Sequence, residues 1–330
     1  MTSLAPLLEA FFVARLLNQR KASPHTVASY RDTFRLLLAF GKRRLGKDPC
    51  DLFLEDLDAC LVAAFLDHLE TDRKSSARTR NCRLAAIRSF FKYASFQQPA
   101  CSALIQRVLA IPQKRCDRKI VPFLSEPEAE ALVKAPDRTT WIGRRDHTLL
   151  LLGLHTGLRV SEIVGLRWQQ LLLDGTGAHV RCQGKGRKER ITPLRPGVVL
   201  ALRDWFREQA AKASDPVFPG RRRSPLSRDA VERLVTKYAA IARQTCPTLD
   251  GKRVSPHVLR HTTAVRLVAG GSDLAVVALI LGHESPETTR IYLDADLSIK
   301  ERAIARTAPP GVGMRRYRPG DRLLAFLSSL

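Results

Sequence analysis

Leu4, Leu7, Leu8, Phe11, Phe12, Ala14 and Leu16 recur at helical spacing and predict a helix at the start of the chain. Ser23-Pro24 is a second start signal, because serine caps a helix and proline suits its first turn. From there Val27, Tyr30, Phe34, Leu37, Leu38 and Phe40 form one apolar face, which the pattern ends at Gly41. Residues 57–69 read as a third helix. Ser75 and Ser76 open a fourth, with Leu84, Ile87, Phe90, Phe91 and Ala94 on its buried side. Residues 1–108 are thus expected to form a helical domain. Residues 109–122 hold two prolines and a basic cluster without a sustained period, which reads as a linker. Beyond it, Ser125 with Glu128 three residues on is a capping box. An apolar helix over 146–154 stops at Thr156-Gly157, and a short helix follows over 161–166. Segments 179–182 and 190–194 predict a β-hairpin around Gly184-Lys185-Gly186-Arg187. Residues 200–212, 227–243, 256–269 and 273–281 are helical by period and caps. The expected fold class is mainly α with a small β-hairpin (α+β), in two domains, 1–108 and 123–330.

Charge narrows the partner. The 330 residues carry 55 Lys+Arg against 32 Asp+Glu, a net of +23. The excess is spread, with 17 basic against 10 acidic residues over 1–110 and 38 against 22 over 111–330. At 45% hydrophobic residues the chain is no disordered polybasic tail. A polyanion is the expected partner, and nucleic acid the common one. No apolar run approaches the ~18–20 residues that span a bilayer, so no membrane partner is expected. The N-terminus lacks the basic n-region and cleavage site of a secretory signal. The seven cysteines form no CxxC pair and are odd in number, which argues against a disulfide framework or zinc site and fits a reducing cytoplasm.

Five segments carry candidate chemistry. They are Thr156-Gly157-Leu158-Arg159-Val160-Ser161-Glu162, Gly184 to Arg190, Pro256-His257-Val258-Leu259-Arg260-His261, Leu281-Gly282-His283, and Thr288-Thr289-Arg290-Ile291-Tyr292. Each alone is weak. Together they bring two arginines, a lysine, two histidines and a tyrosine, with no carboxylate cluster of the kind Mg²⁺ requires. That set suits metal-free phosphoryl transfer. Two guanidiniums clamp phosphodiester oxygens. A lysine protonates the leaving alkoxide, and a tyrosine serves as covalent nucleophile. Tyrosine's ordinary pKa of about 10 calls for a cationic pocket and a nearby base. His257 and His261 stand at i,i+4, but no third ligand accompanies them, so neither a metal nor a cofactor is expected. On the fourth helix, Arg78, Arg80, Arg83, Arg88 and Lys92 are candidate DNA contacts, as are Arg221, Arg222 and Arg223 ahead of the helix opened by Ser227.

The order and spacing resemble the tyrosine recombinase (phage integrase) family, most of all its compact bacterial Xer-type branch. His257 precedes Arg260 by three residues and His283 by 26, and His283 precedes Tyr292 by nine. The Ser23-Pro24-His25-Thr26…Tyr30 opening belongs to the same resemblance. It implies a two-domain, C-shaped clamp on double-stranded DNA. It implies that Arg159 and Arg260 hold the scissile phosphate and that Lys185 is the general acid for the 5′ oxygen. His257 would assist proton removal and His283 would hydrogen-bond the phosphate. Tyr292 would attack, giving a 3′-phosphotyrosine without ATP or metal. Glu162 would support the site by orienting its groups. A homotetramer is implied in the synaptic complex, with a partner recombinase or accessory protein left open, in a bacterial cytoplasm at the nucleoid. The 38 residues after Tyr292 exceed the compact pattern and are expected to include a docking tail. Together with Leu293-Asp294-Ala295-Asp296, which departs from the Xer pattern, this points to a mobile-element recombinase. A type IB topoisomerase and a DNA-binding protein with a vestigial catalytic set are the competing classes.

Overall fold

The computed structural model describes residues 2–116, 121–174, 177–183, 189–220, 222–283, 289 and 291–292, with the side chain of Gln183 excepted. The chain divides into two compact units, residues 1–118 and 119–330.

The first unit is all helical: α1 (Leu4–Ala10), α2 (Pro24–Leu45), α3 (Ala59–Thr71), α4 (Ala77–Gln97) and α5 (Ser102–Ala110). Helix α1 runs on as a wider π-helical stretch, Phe11–Gln19. Ser23 and Ser76 cap α2 and α4 by accepting the amides of Thr26 and Thr79, and Asp58 does the same for Leu61 at α3. The core brings Phe11, Phe34 and Phe90 edge to face, with ring centroids 5.3–6.3 Å apart. Helix α2 passes through Gly41, where the sequence pattern ends it. It stops four residues later, with Gly46 in the left-handed region. One interior glycine costs a helix only about 1 kcal/mol. Lys42, Arg43 and Arg44 then place positive charge on the carbonyl-rich last turn.

The second unit is built around α7 (Trp141–Thr156), whose middle is buried on nearly all sides. Packed on it or beside it are α6 (Glu126–Lys134), α8 (Val160–Gly165), α9 (Pro196–Gln209), α10 (Arg228–Ala242), α11 (Pro256–Ala269) and α12 (Leu274–Leu281). The Ser125 amide donates to Glu128 Oε2 at 2.8 Å at the start of α6. A three-stranded antiparallel sheet completes the unit: β1 (Leu171–Leu172), β2 (His179–Gln183) and β3 (Glu189–Pro193), in that order. Cys182 pairs with Arg190 across β2 and β3. The core gathers Leu149, Leu150, Leu152, Leu202, Trp205, Val231 and Val235, and the Trp205 indole N–H reaches the Val217 carbonyl at 2.8 Å. Among the described residues no helix is long and apolar enough to cross a membrane.

Candidate active site

The site is assembled where α7 ends, α8 and α11 begin, and α12 ends. Gly157 takes the left-handed conformation (φ 61°) that closes α7, and Arg159 follows as the N-cap residue of α8. Gly282 does the same for α12 at φ 65°. These two turns hold both guanidiniums. Arg159 donates to the Gly282 carbonyl at 2.7 Å, and Arg260, on α11, donates to the carbonyls of Gly157 (2.7 Å) and Leu281 (2.6 Å). A guanidinium has five N–H donors, so each arginine keeps donors beyond these contacts for an anion's oxygens. Arg260 is 3% exposed. Burial and the like charge of Arg159 bring its pKa down to about 10, so it remains a cation at neutral pH.

Glu162 is the counter-charge. Its carboxylate accepts from the Arg159 amide (2.7 Å), from Arg159 Nη1 (3.0 Å), and from both terminal nitrogens of Arg190 (2.9 and 2.6 Å). Burial alone would raise this carboxyl's pKa. The Arg190 fork and the Arg159 amide outweigh it and hold the pKa below the ordinary carboxylate range.

Tyr292 is 1% exposed and packs with Ala264, Val265, Val268, Val277 and Leu281. Its hydroxyl lies 3.0 Å from Nδ1 of His261. Burial raises the phenol's pKa, while Arg260 and Arg159 pull the other way. Burial, with His257 and Arg260 nearby, pushes His261 down to about 4, so its imidazole is neutral at pH 7. The His257 ring is stacked on His261 at 5.4 Å, and it belongs to an exposed residue. Of these two histidines, His261 is the one within hydrogen-bond distance of the Tyr292 hydroxyl. His283 Nδ1 lies 2.9 Å from Thr289 Oγ1, and its ring stacks beside Tyr292 at 6.2 Å. Burial and then Arg260 and Arg159 bring His283 down to about 4.

Arg159, Arg260, His261, His283 and Tyr292 are thus brought together, with Glu162 and Arg190 behind them. Lys185 lies outside the described residues, as do Arg221 and the segment after Tyr292. Arg222 and Arg223 are exposed. The arginines of α4 divide. Arg78 and Lys92 face solvent. Arg80, 5% exposed, donates to the Pro112 carbonyl at 3.0 Å, and Arg88 donates to the carbonyl of Ile111. Arg83 donates to the buried Thr33 hydroxyl at 3.1 Å. Arg80 and Arg88 therefore hold the chain that follows α5. Each thus has a structural contact that the helical pattern does not show, because a backbone carbonyl there needs a donor. Two contributors were missed from the sequence, His261 and Arg190. The signals available were a histidine directly after Arg260 and an arginine directly after the basic turn. Among the described residues no group of three His, Cys, Asp or Glu side chains could hold a metal ion.

The phage integrase family model matches residues 122–298, and the phage integrase N-terminal SAM-like domain matches residues 10–98. The chain belongs to the phage integrase family of tyrosine recombinases. A Sinorhizobium fredii protein named "Putative integrase/recombinase y4rC" is 55% identical over 99% of this chain and 98% of its own length. A Pelobacter propionicus protein named tyrosine recombinase XerC is 31% identical over 92% of this chain and 98% of its own. Among solved structures, XerH site-specific recombinase bound to a palindromic difH substrate aligns with a TM-score of 0.69 at 21% identity, covering 87% of this chain and 81% of that one. A lambda integrase dimer bound to a COC′ core site aligns with a TM-score of 0.63 at 18% identity, covering 96% and 80%. At these identities the two structures show a shared tyrosine recombinase fold.

Proposed function

We propose that this tyrosine recombinase is a site-specific DNA recombinase or integrase that cuts and rejoins duplex DNA through a 3′-phosphotyrosyl intermediate and serves a mobile element. The observation that carries the reading is the convergence of Arg159, Arg260 and His283 on the surroundings of the Tyr292 phenol. Each step follows from these groups. The two guanidiniums neutralise the nonbridging oxygens of the scissile phosphate and the charge that grows on them during attack. The Tyr292 oxygen bonds to phosphorus while its proton passes to a histidine of the stacked His257–His261 pair beside it. The P–O5′ bond breaks, and the 5′ oxygen takes a proton from Lys185, the acid of the proposal. Reversal with a different 5′-hydroxyl rejoins the strands. The ester conserves the bond energy, so neither ATP nor a metal ion enters the scheme.

At 1% exposure the phenol has no room for a phosphate beside it, so DNA binding must draw Tyr292 out of its apolar cradle before attack. The proposed partners are double-stranded DNA and three further copies of the chain at synapsis, in the bacterial cytoplasm. The test is covalent capture. Protein is incubated with fragmented DNA from the source organism and denatured, and the DNA that stays attached is sequenced. Adducts that end at one recurring site, joined through a 3′ end, support the reading. Adducts at scattered sites, with relaxation of supercoils and no joining of two sites, would move it to a topoisomerase.

A further inference from the structure

Arg190 is a heavily bonded side chain near the site that the proposed chemistry does not use. It is 8% exposed and sits at the start of β3, five residues after Lys185. Its two terminal nitrogens grip both oxygens of Glu162, at 2.9 and 2.6 Å, and its Nε donates to the Ile280 carbonyl at 3.1 Å. The Arg190 side chain lies against Gly282. A Cβ at that glycine would stand 2.8 Å from Nη1 and 3.1 Å from Cδ, so the missing side chain makes room for the arginine. Gly282 is also the residue whose carbonyl accepts from Arg159. The contacts close a ring: Arg159 to Glu162, Glu162 to Arg190, Arg190 to the end of α12, and the end of α12 back to Arg159.

The ring decides how Arg159 meets Glu162. A carboxylate and a guanidinium left alone form a two-pronged pair, both oxygens on two parallel N–H groups. Here Arg190 takes that pairing. Arg159 is left with a single side-chain bond to Glu162, from Nη1 at 3.0 Å, and the second carboxylate oxygen goes to the Arg159 amide. Its side chain is 29% exposed at the edge of the site, and the Glu162 side chain behind it is 6% exposed.

We propose that Arg190 is a positioning residue for the phosphate clamp: by occupying Glu162 two-pronged, it prevents that carboxylate from capturing Arg159 and keeps the Arg159 guanidinium turned toward the scissile phosphate. This rests on the recombinase reading above. Among the described residues the charged groups around Glu162 are Arg159, Arg190 and Arg260. Removing Arg190 leaves Arg159 as the only described side chain bonded to a buried carboxylate. The pair then collapses together, and the charge that should stabilise the phosphate is neutralised.

The test uses the full chain on a nicked duplex carrying the captured site, and reads covalent adduct rate and half-site affinity separately. Arg190→Met keeps the bulk and removes the fork. It should slow adduct formation by about 10²-fold, the scale of a 1 Å misplacement, with affinity nearly unchanged. Arg190→Lys keeps the charge without the two-pronged geometry and should remain at least tenfold slow. The decisive readout is a methylphosphonate at the scissile position. It carries no negative charge and so does not need the Arg159 cation. On it, the deficit of Arg190→Met should shrink at least tenfold, as should that of Arg159→Ala. A deficit that persists for Arg190→Met while Arg159→Ala recovers would overturn the proposal. If Arg190→Met fails to fold, Glu162→Met/Arg190→Met replaces both partners with apolar groups. With no carboxylate to capture Arg159, the double variant should cleave faster than Arg190→Lys, and a rate equal to or below that of Arg190→Lys would contradict the proposal. If the wild-type protein forms no adduct, it is the recombinase reading that fails, whatever Arg190 does.

Discussion

Gly157 should tolerate no side chain, and the structure says by how much. It combines three constraints. Its φ of 61° lies in the left-handed region, which costs an L-residue with a Cβ about 1–2 kcal/mol. An added Cβ would stand 2.6 Å from Leu281 Cδ2 and 3.3 Å from Thr263 Cβ. Both neighbours are buried, Leu281 at 0% and Thr263 at 3% exposure, so relieving the contact means repacking, at about 1–3 kcal/mol. Against this, alanine restricts the unfolded chain and returns about 0.4–1 kcal/mol. Gly157→Ala should therefore destabilise the second unit by about 1–4.6 kcal/mol. At roughly 2–4 °C per kcal/mol for a unit of this size, its Tm should fall by about 2–18 °C. The Gly157 carbonyl is also the anchor for Arg260, so cleavage should fall further than stability explains at temperatures where the variant is folded. The assay pairs thermal unfolding by circular dichroism with the adduct rate at 20 °C. Gly165→Ala is the control, because its Cβ would meet no atom within 4 Å and its φ is not positive. A Gly157→Ala protein that melts within 1 °C of wild type and cleaves normally would refute the reasoning.

Three further predictions follow from the site and its surroundings. Lys185→Ala should slow cleavage by about 10²–10⁴-fold while sparing binding, and a substrate with a 5′-phosphorothiolate leaving group should rescue it but not Arg159→Ala; equal rescue of both would remove the acid role. His261 and His283 stay neutral in the folded state down to about pH 4, whereas unfolded histidine takes up a proton near 6.5. The unfolded chain thus binds more protons in that window, so stability is full above about pH 6.5 and declines as pH falls toward 4; urea midpoints should drop less steeply over this range for His261→Gln than for wild type, and parallel curves would contradict the burial of a neutral imidazole. Truncation after Ala308 should leave half-site binding intact and impair pairing of sites or strand exchange, since Leu323, Leu324, Phe326, Leu327 and Leu330 form an apolar cluster at the chain's end; normal strand exchange would rule out a docking role for this segment.

Much of the fold was legible because local signals carry it. Ser23, Asp58, Ser76, Ser227 and Asp273 each cap a helix by accepting an amide two or three residues on, a pattern written in adjacent sequence. The hairpin strands were legible from their turn, but the two-residue β1 is too short to show alternation. Gly41 misled because a glycine signals a helix end only when the backbone turns left-handed there, and Gly46 is where it does. The arginines of α4 show a different limit. Periodicity tells which face of a helix is apolar, but not that a later stretch of chain at Ile111–Pro112 will cross the opposite face and need hydrogen-bond donors. In the site, the family spacing pointed to Arg159, Arg260, His283 and Tyr292. The Arg190–Glu162 pair spans 28 residues and the His261–Tyr292 contact spans 31, and no local period encodes either.

The central claim is that Tyr292 becomes covalently joined to DNA through chemistry supplied by the chain alone. The direct measurement is a nicked duplex carrying the captured site, labelled on the strand that would acquire the 3′-phosphotyrosine. It is incubated with wild type and with Tyr292→Phe in EDTA without nucleotide, and resolved on a denaturing gel. The account predicts a protein–DNA adduct with wild type that EDTA does not diminish, and none with Tyr292→Phe despite unchanged half-site binding. An adduct that survives Tyr292→Phe, or one that appears only when Mg²⁺ is restored, would contradict it.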